Sequence, residues 1–205
     1  MNIVTLKPVR ARALLFAMLC LTGPLVSCAS ATQPSPVPAG GFTNNGSGNG
    51  IQTLPASSWR ILTNGRSATL AEALSASGYS AAIFQFAGVT CDTCQRDATD
   101  YTRRIQASPL RGRIGHIVVF TDFPEDFQES DFQSFLTQYA PQSVRAHDDR
   151  AKLWLSLQKN PSAPDRNVIV VLGQGNRGLF LNEPASRDTI FNALESLGSA
   201  GGRIQ

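Results

Sequence analysis

The chain has 205 residues, and its 18 Lys and Arg residues against 15 Asp and Glu residues give a formal net charge of +3 at pH 7. Three of the basic residues and none of the acidic ones lie within residues 1–27, which leaves 15 of each in the remainder. This balance offers none of the basic surface that a nucleic-acid partner needs, so we expect no nucleic-acid binding.

The first 27 residues have the composition of a signal peptide. A basic start precedes an apolar run, residues 13–26, which is shorter than a membrane-spanning helix. The run ends in Leu-Val-Ser-Cys, which resembles the bacterial lipobox, where the Cys is lipid-modified and becomes the new N-terminus. We therefore expect Cys28 to carry a lipid anchor and the protein to be exported and membrane-anchored, facing the periplasm or the cell exterior. An ordinary cleaved signal peptide with an incidental Cys is the alternative.

Residues 28–56 are rich in Ser, Pro, Gly and Asn and contain almost no charged or large apolar residues. Such a segment cannot bury enough apolar surface to fold, so a disordered tether is predicted between the anchor and the rest of the chain. Residues 57–200 then have the length of one domain with one core.

The domain begins with a predicted hairpin, residues 59–70, that turns at Asn64-Gly65 and leads into a short helix ending near Gly78. Three apolar runs predict buried strands, at residues 81–86, 116–120 and 168–172. The helical spacing of apolar residues predicts helices at about 94–108, 130–140, 145–160 and 188–197. A glycine-rich turn, residues 173–178, returns the chain into a last strand. This order of elements predicts a mixed sheet covered on both faces.

Two cysteines follow the first buried strand directly. That strand, which we expect at the centre of the sheet, ends at Ala87-Gly88, so Cys91 falls in the turn before a helix and Cys94 one turn inside it, facing the core. Unpaired N–H groups and the partial positive charge at a helix N-terminus stabilise a thiolate. A second thiol one turn later can attack the mixed disulfide that the first one forms. A strand, a C-x-x-C motif and a helix are typical of a thioredoxin-like redox site.

Two other roles for the cysteine pair are weighed against this one. A purely structural disulfide between residues three apart removes little chain entropy. A zinc site needs four ligands, and the sequence has no second C-x-x-C or pair of His residues to complete one. His116 is predicted to be a partly buried structural side chain, and His147 to lie in a solvated loop. We therefore expect no metal and no cofactor.

With this motif and this order of elements, residues 57–198 resemble the thioredoxin superfamily, and most closely its exported, membrane-tethered TlpA- and ResA-like reductases. The resemblance implies an α/β thioredoxin-like three-layer sandwich, in which a mixed central β-sheet is flanked by helices. It also implies a thiol–disulfide oxidoreductase that needs no cofactor, with Cys91 as the attacking and Cys94 as the resolving thiol. Its partners would be protein thiols and disulfides and a redox partner that the sequence does not identify. We expect a monomer.

The chain departs from the family pattern at several positions around the motif. Gln85 stands where thioredoxins usually carry a buried Asp that relays protons, and Gln85 cannot titrate. The family also has a cis-proline before the strand that faces the disulfide, and Pro164 is the candidate for it. Asp92 directly follows Cys91, and its charge opposes the thiolate that the helix N-terminus stabilises. Because strong oxidants owe their power to a stabilised thiolate, we expect a reductant more than a strong oxidant.

The sequence therefore predicts an exported, lipid-anchored thiol–disulfide oxidoreductase. The alternative is a thioredoxin-like binding or metal-delivery module without turnover, but the copper-delivering relatives space their cysteines four apart and add a distant His. A thiol peroxidase would need a more elaborate pocket around the attacking Cys than the sequence provides.

Overall fold

The computed structural model describes residues 50–122, 125–158, 168–181 and 186–201. The predicted signal peptide, the lipidation site Cys28, most of the tether and the candidate cis-proline Pro164 lie outside these residues. Within the described parts of the chain, no helix is long and apolar enough to cross a membrane.

The described residues form one eight-stranded mixed sheet. Its strands are β1 (Gln52–Thr53), β2 (Arg60–Thr63), β3 (Arg66–Thr69), β4 (Ala81–Ala87), β5 (Ile114–Phe120), β6 (Val144–His147), β7 (Val168–Gly173) and β8 (Arg177–Leu181). Their order across the sheet is β1-β8-β7-β4-β5-β6-β2-β3. The β4–β5 and β5–β6 pairs are parallel, and the others are antiparallel. The predicted central position of the strand before the cysteines is confirmed.

Helices cover both faces of this sheet. They are α1 (Leu70–Ser77), α2 (Asp92–Ala107), α3 (Glu129–Tyr139), α4 (Lys152–Leu157) and α5 (Arg187–Ala200). Side chains along a strand point alternately to opposite faces. Accordingly, Ala82, Phe84 and Phe86 of β4 pack in one core cluster with residues of α1 and α4, whereas Ala81 and Ile83 pack in another with residues of α2 and α5. The predicted three-layer α/β sandwich is confirmed.

The hairpin predicted at the start of the domain is present as β2 and β3. Asn64 and Gly65 connect the two strands and both have positive φ, 50° and 72°. A two-residue turn of this kind matches the twist of the flanking strands, and Asn-Gly adopts it with little strain. The turn therefore places Arg60 opposite Thr69 and holds the register of the hairpin.

The boundary predicted between tether and domain at residue 56 is too late. Gln52–Thr53 already pairs with β8, and Leu54 and Ala56 are buried in the core cluster of α1. The Leu54 N–H also donates to the carbonyl of Asn176, 2.8 Å away. These residues lack a recognisable strand pattern, and they are ordered because the edge of β8 offers them backbone partners.

The helix predicted over residues 145–160 is wrong in its first half. Val144–His147 forms β6, which pairs in parallel with residues 117–120 of β5, and only the residues from Lys152 onwards form α4. Of the four β6 residues only Ala146 is buried, so the segment lacks the apolar run that marks a strand in sequence. The preceding helix, α3, also begins earlier than predicted, because Asp131 accepts a hydrogen bond from the Gln128 N–H.

Candidate active site

The two cysteines lie at the carboxyl end of β4, where the chain turns into α2. Cys91 is the N-cap of α2, and its Sγ accepts a hydrogen bond from the Cys94 N–H, 3.2 Å away. The Cys91 N–H donates to the carbonyl of Gly88, 3.2 Å away, which closes the turn after the strand. Cys91 therefore meets the unpaired N–H groups of a helix N-terminus, as the sequence predicted.

The Sγ atoms of Cys91 and Cys94 form a disulfide, with their Cα atoms 5.2 Å apart. Cys94 is 1% exposed and lies in a core cluster with residues of α2, α3 and β5. Cys91 belongs to the same cluster but keeps 7% of its surface exposed. A reagent from solution therefore reaches the disulfide from the Cys91 side.

A chain of buried hydrogen bonds runs from Cys94 into the sheet. The amide nitrogen of Gln85, a residue that is 1% exposed, donates to the Cys94 carbonyl, 2.9 Å away. The Gln85 Oε1 is then left to accept from Nε2 of His116, 3.0 Å away. This arrangement leaves Nδ1 of His116 to accept from the Ser143 hydroxyl, 2.7 Å away.

Burial keeps the side chains of this hydrogen-bonded series uncharged. His116 is fully buried, not partly buried as the sequence suggested, and burial lowers the pKa of His116 to about 3. Its imidazole therefore carries one proton at neutral pH and acts as a fixed link between Gln85 and Ser143. The sequence marks Gln85 as a residue that cannot titrate, at a position where thioredoxins usually carry an Asp. In the structure Gln85 lies on β4 and hydrogen-bonds to His116 of β5 and to Cys94 of α2, so it links two strands to the cysteine helix.

Asp122 is a site residue that the sequence analysis missed. Its Oδ2 accepts a hydrogen bond from the Val89 N–H, 2.6 Å away, in the turn between β4 and Cys91. Burial raises the pKa of Asp122, the hydrogen bond from Val89 lowers it, and the nearby charge of Asp126 raises it further. Its position directly after β5 could have indicated this role. The carboxyl ends of the parallel neighbours β4 and β5 lie at the same edge of the sheet, so residues that follow the two strands lie close together.

Of the other polar residues at the start of α2, Asp92 and Arg96 lie on the surface and Asp97 is buried. Asp92 is the first residue of α2 and is exposed. Its charge therefore lies directly after Cys91, as the sequence predicts. The guanidinium of Arg96 donates to the Thr93 hydroxyl, 3.2 Å away. Asp97, on the buried side of α2, is paired with Arg187 of α5 at 2.6 Å.

A cavity of about 290 Å³ lies on the other side of His116, and neither cysteine lines it. Its polar lining includes Tyr79, Gln106, Arg111, Gln142 and Ser143. It meets the buried hydrogen-bond chain at His116 and Ser143. Among the residues that the structure describes, no group of three or more His, Cys, Asp and Glu side chains is arranged to hold a metal ion.

No protein-family model matches the sequence, and no curated protein matches it either. Solved structures do match. BsSco, a member of the Sco family of cytochrome c oxidase assembly proteins, is 14% identical over 73% of this chain and 96% of its own, with a TM-score of 0.52. MTB dsbF, in mixed oxidised and reduced forms, is 15% identical over 71% of this chain and 99% of its own, with a TM-score of 0.51. Likeness at this level of identity establishes the thioredoxin-like fold.

Proposed function

We propose that the protein is a thiol–disulfide oxidoreductase whose redox-active pair is Cys91 and Cys94. The observation that carries the proposal is the position of this pair. Its disulfide lies at the N-terminus of α2, at the end of the central strand, with Cys91 on the solvent side and Cys94 buried. A disulfide that served stability alone would gain little from closing so short a loop.

The reduced pair would act in two steps. The Cys91 thiolate attacks one sulfur of a substrate disulfide, an S–S bond forms between Cys91 and the substrate, and the other substrate sulfur leaves as a thiolate that takes up a proton. The Cys94 thiol then loses its proton and attacks the Cys91 sulfur, which releases the second substrate thiol and forms the Cys91–Cys94 disulfide. Two electrons pass from the protein to the substrate, and an external thiol must return them.

We further propose that the pair favours reduction of its substrates over oxidation. The helix N-terminus stabilises the Cys91 thiolate by about 0.3–1 kcal/mol at an exposed site. The exposed carboxylate of Asp92 follows directly and opposes this effect, since like charges this close repel even through solvent. Because these two effects oppose each other, the Cys91 thiolate gains little net stabilisation. The disulfide is then comparatively stable, which is the property of a reductant. Pro164 remains our candidate for the proline that faces the disulfide.

The test is a redox equilibrium joined to a turnover assay. The full chain, equilibrated with glutathione or dithiothreitol buffers, should show one two-electron couple between about −180 and −270 mV and should accelerate insulin reduction by dithiothreitol. The double variant Cys91→Ser/Cys94→Ser is the control and should show neither. No reversible couple in the unmodified chain would refute the redox function. A couple near −120 mV would refute only the reductant preference.

We also propose that the domain works outside the cytoplasm on a lipid anchor at Cys28, held by the predicted tether. The support is the signal-peptide pattern of residues 1–27 and the lipobox-like residues that end it. The substrates would then be exported proteins whose disulfides need reduction. The redox partner that restores the dithiol is expected at or across the same membrane.

Replacing Cys28 by serine should remove the protein from the membrane fraction or leave the precursor unprocessed, because the thioether to the lipid cannot form without the thiol. The measurement is fractionation with metabolic labelling by a fatty-acid analogue, with Cys20→Ser as the matched control. Equal labelling and equal membrane content in Cys28→Ser and the unmodified chain would contradict the anchor.

A further inference from the structure

Asp122 lies beside the attacking cysteine although it is 31 residues away in sequence. A Cβ placed on Gly88 would lie 3.3 Å from Oδ1 of Asp122 and 3.8 Å from Cβ of Cys91. Two atoms this close to one point are at most about 7 Å apart, the sum of those distances. A Cβ at Gly88 would make a tight contact with the Asp122 carboxylate, so glycine at this position leaves room for Asp122 beside the cysteine turn.

The turn between β4 and α2 is held by two side chains at one residue, Val89. The Val89 N–H donates to Asp122 Oδ2 at 2.6 Å, and the Val89 carbonyl accepts from the side-chain amide of Gln95 at 2.9 Å. The same turn presents Cys91, whose N–H binds the Gly88 carbonyl. Asp122 is thus one of two side chains that clamp the turn on which the reactive sulfur sits.

On this geometry, and resting on the oxidoreductase function proposed above, we propose that Asp122 is a positioning residue that sets the reactivity of Cys91. Its carboxylate clamps the turn through the Val89 N–H, and its negative charge opposes formation of the Cys91 thiolate. The proposal adds a second, half-buried carboxylate to the exposed Asp92 as a control on the attacking thiol.

The charges around Asp122 leave its effect on Cys91 largely unopposed. Among the described residues, Asp126 on the segment after β5 acts on Asp122 through its charge, and Cys91 at the start of α2 lies near it. On the neighbouring strand β6, Arg145 pairs with Glu129 and donates to His147. Among the described residues no Lys or Arg is ion-paired with Asp122, whereas Asp97 on α2 is paired with Arg187. The carboxylate therefore repels a developing thiolate through a partly buried path.

The repulsion is large enough to measure. The Cys91 sulfur lies one bond beyond its Cβ, so the two charges are within about 9 Å of each other. At an effective dielectric of about 40, a charge at this distance changes the acid constant of a thiol by about five- to tenfold. Burial raises the pKa of Asp122, so its charge develops at a higher pH than the charge of an exposed Asp.

The experiment measures the pKa of Cys91 in the reduced full chain, from the rate of iodoacetamide alkylation at Cys91 against pH, read by mass spectrometry of the Cys91 peptide. Asp122→Asn keeps an oxygen for the Val89 N–H and removes the charge. It should raise the acid constant of Cys91 about five- to tenfold. The rate of alkylation at pH 7 should rise only about threefold, because the thiolate of a more acidic thiol is a weaker nucleophile.

Two further variants separate charge from clamp. Asp126→Asn removes a charge nearby that does not hold the turn, and it should change the Cys91 acid constant less than twofold. Asp122→Ala removes charge and hydrogen bond together, so it should reproduce the change in acid constant and also unfold at a lower denaturant concentration than Asp122→Asn.

An unchanged Cys91 acid constant in Asp122→Asn, or an equal change in Asp126→Asn, would overturn the charge effect. Equal denaturation midpoints for Asp122→Asn and Asp122→Ala would overturn the clamp. These readouts require no turnover, so they stay separate from the proposed function: a wild-type chain that reduces no disulfide refutes that function whatever Asp122 does to the Cys91 thiol.

Discussion

Cys94→Ser is expected to accumulate covalent mixed disulfides between Cys91 and its substrate proteins, whereas Cys91→Ser is expected to lose exchange activity by at least about a thousandfold. The reason is that a substrate disulfide can reach Cys91 but not Cys94, so Cys91 attacks first. Cys91 caps the helix and keeps part of its surface exposed, while Cys94 is closed off in the core beside α3. Without Cys94 the first bond forms but nothing inside the protein resolves it.

The trapping experiment is cleanest in a Cys20→Ser/Cys28→Ser background, because that leaves Cys91 as the only thiol of the Cys94→Ser chain, whether or not the signal peptide is removed. Non-reducing gels and mass spectrometry of the linked peptides identify the bonded cysteine. Cys94→Ala is the matched control and should trap the same partners, since the hydroxyl of serine has no part in the argument. Adducts on Cys94 in a Cys91→Ser chain would reverse the assigned roles.

Phe120→Ala is expected to lower the free energy of unfolding by about 3–5 kcal/mol. Phe120 is fully buried at the end of β5, and its ring centroid lies 4.9 Å from that of Phe132 and 5.3 Å from that of Phe135, both on α3. Removing the ring leaves a cavity and breaks two edge-to-face contacts that fix α3 against the sheet. The same core cluster contains Cys91 and Cys94, so this is the packing on which the cysteine turn rests.

Urea unfolding followed by circular dichroism measures the change, with the slope of the transition as the check for two-state behaviour. Phe120→Leu fills most of the space and should cost less than half as much. Phe127→Ala removes the same ring from a partly buried position at the margin of the cluster and should also cost less. A loss below about 1 kcal/mol in Phe120→Ala would mean that α3 moves in to fill the cavity.

The parts of the fold that the sequence predicts correctly are those with complete local signals. β4 is buried on both faces, so all its residues except Gln85 are apolar. Cys94, Ala98 and Tyr101 recur at helical spacing and are all buried along α2. Because the cysteines fall between these two elements, their place at the helix N-terminus could be predicted without knowledge of the rest of the chain.

The parts that the sequence does not predict depend on contacts between distant segments. β1 and β6 are short and mostly polar, and they become strands because β8 and β5 offer them backbone partners. The same holds within the site. The Gln85–His116 bond and the approach of Asp122 to Val89 both arise from the parallel pairing of β4 with β5, which no pattern within either strand specifies.

The placement of the cysteine turn on β4 also decides which part of the molecule opens to solvent during a redox cycle. Every residue of β4 is buried, and the strand is paired on one side with β5 and on the other with β7. Amide hydrogens in such a strand exchange with deuterium only when the whole domain unfolds, whereas a short turn opens locally at a small fraction of that free energy. The turn before α2 can therefore change conformation in each round of disulfide exchange while the hydrogen bonds of β4 to β5 and β7 stay intact.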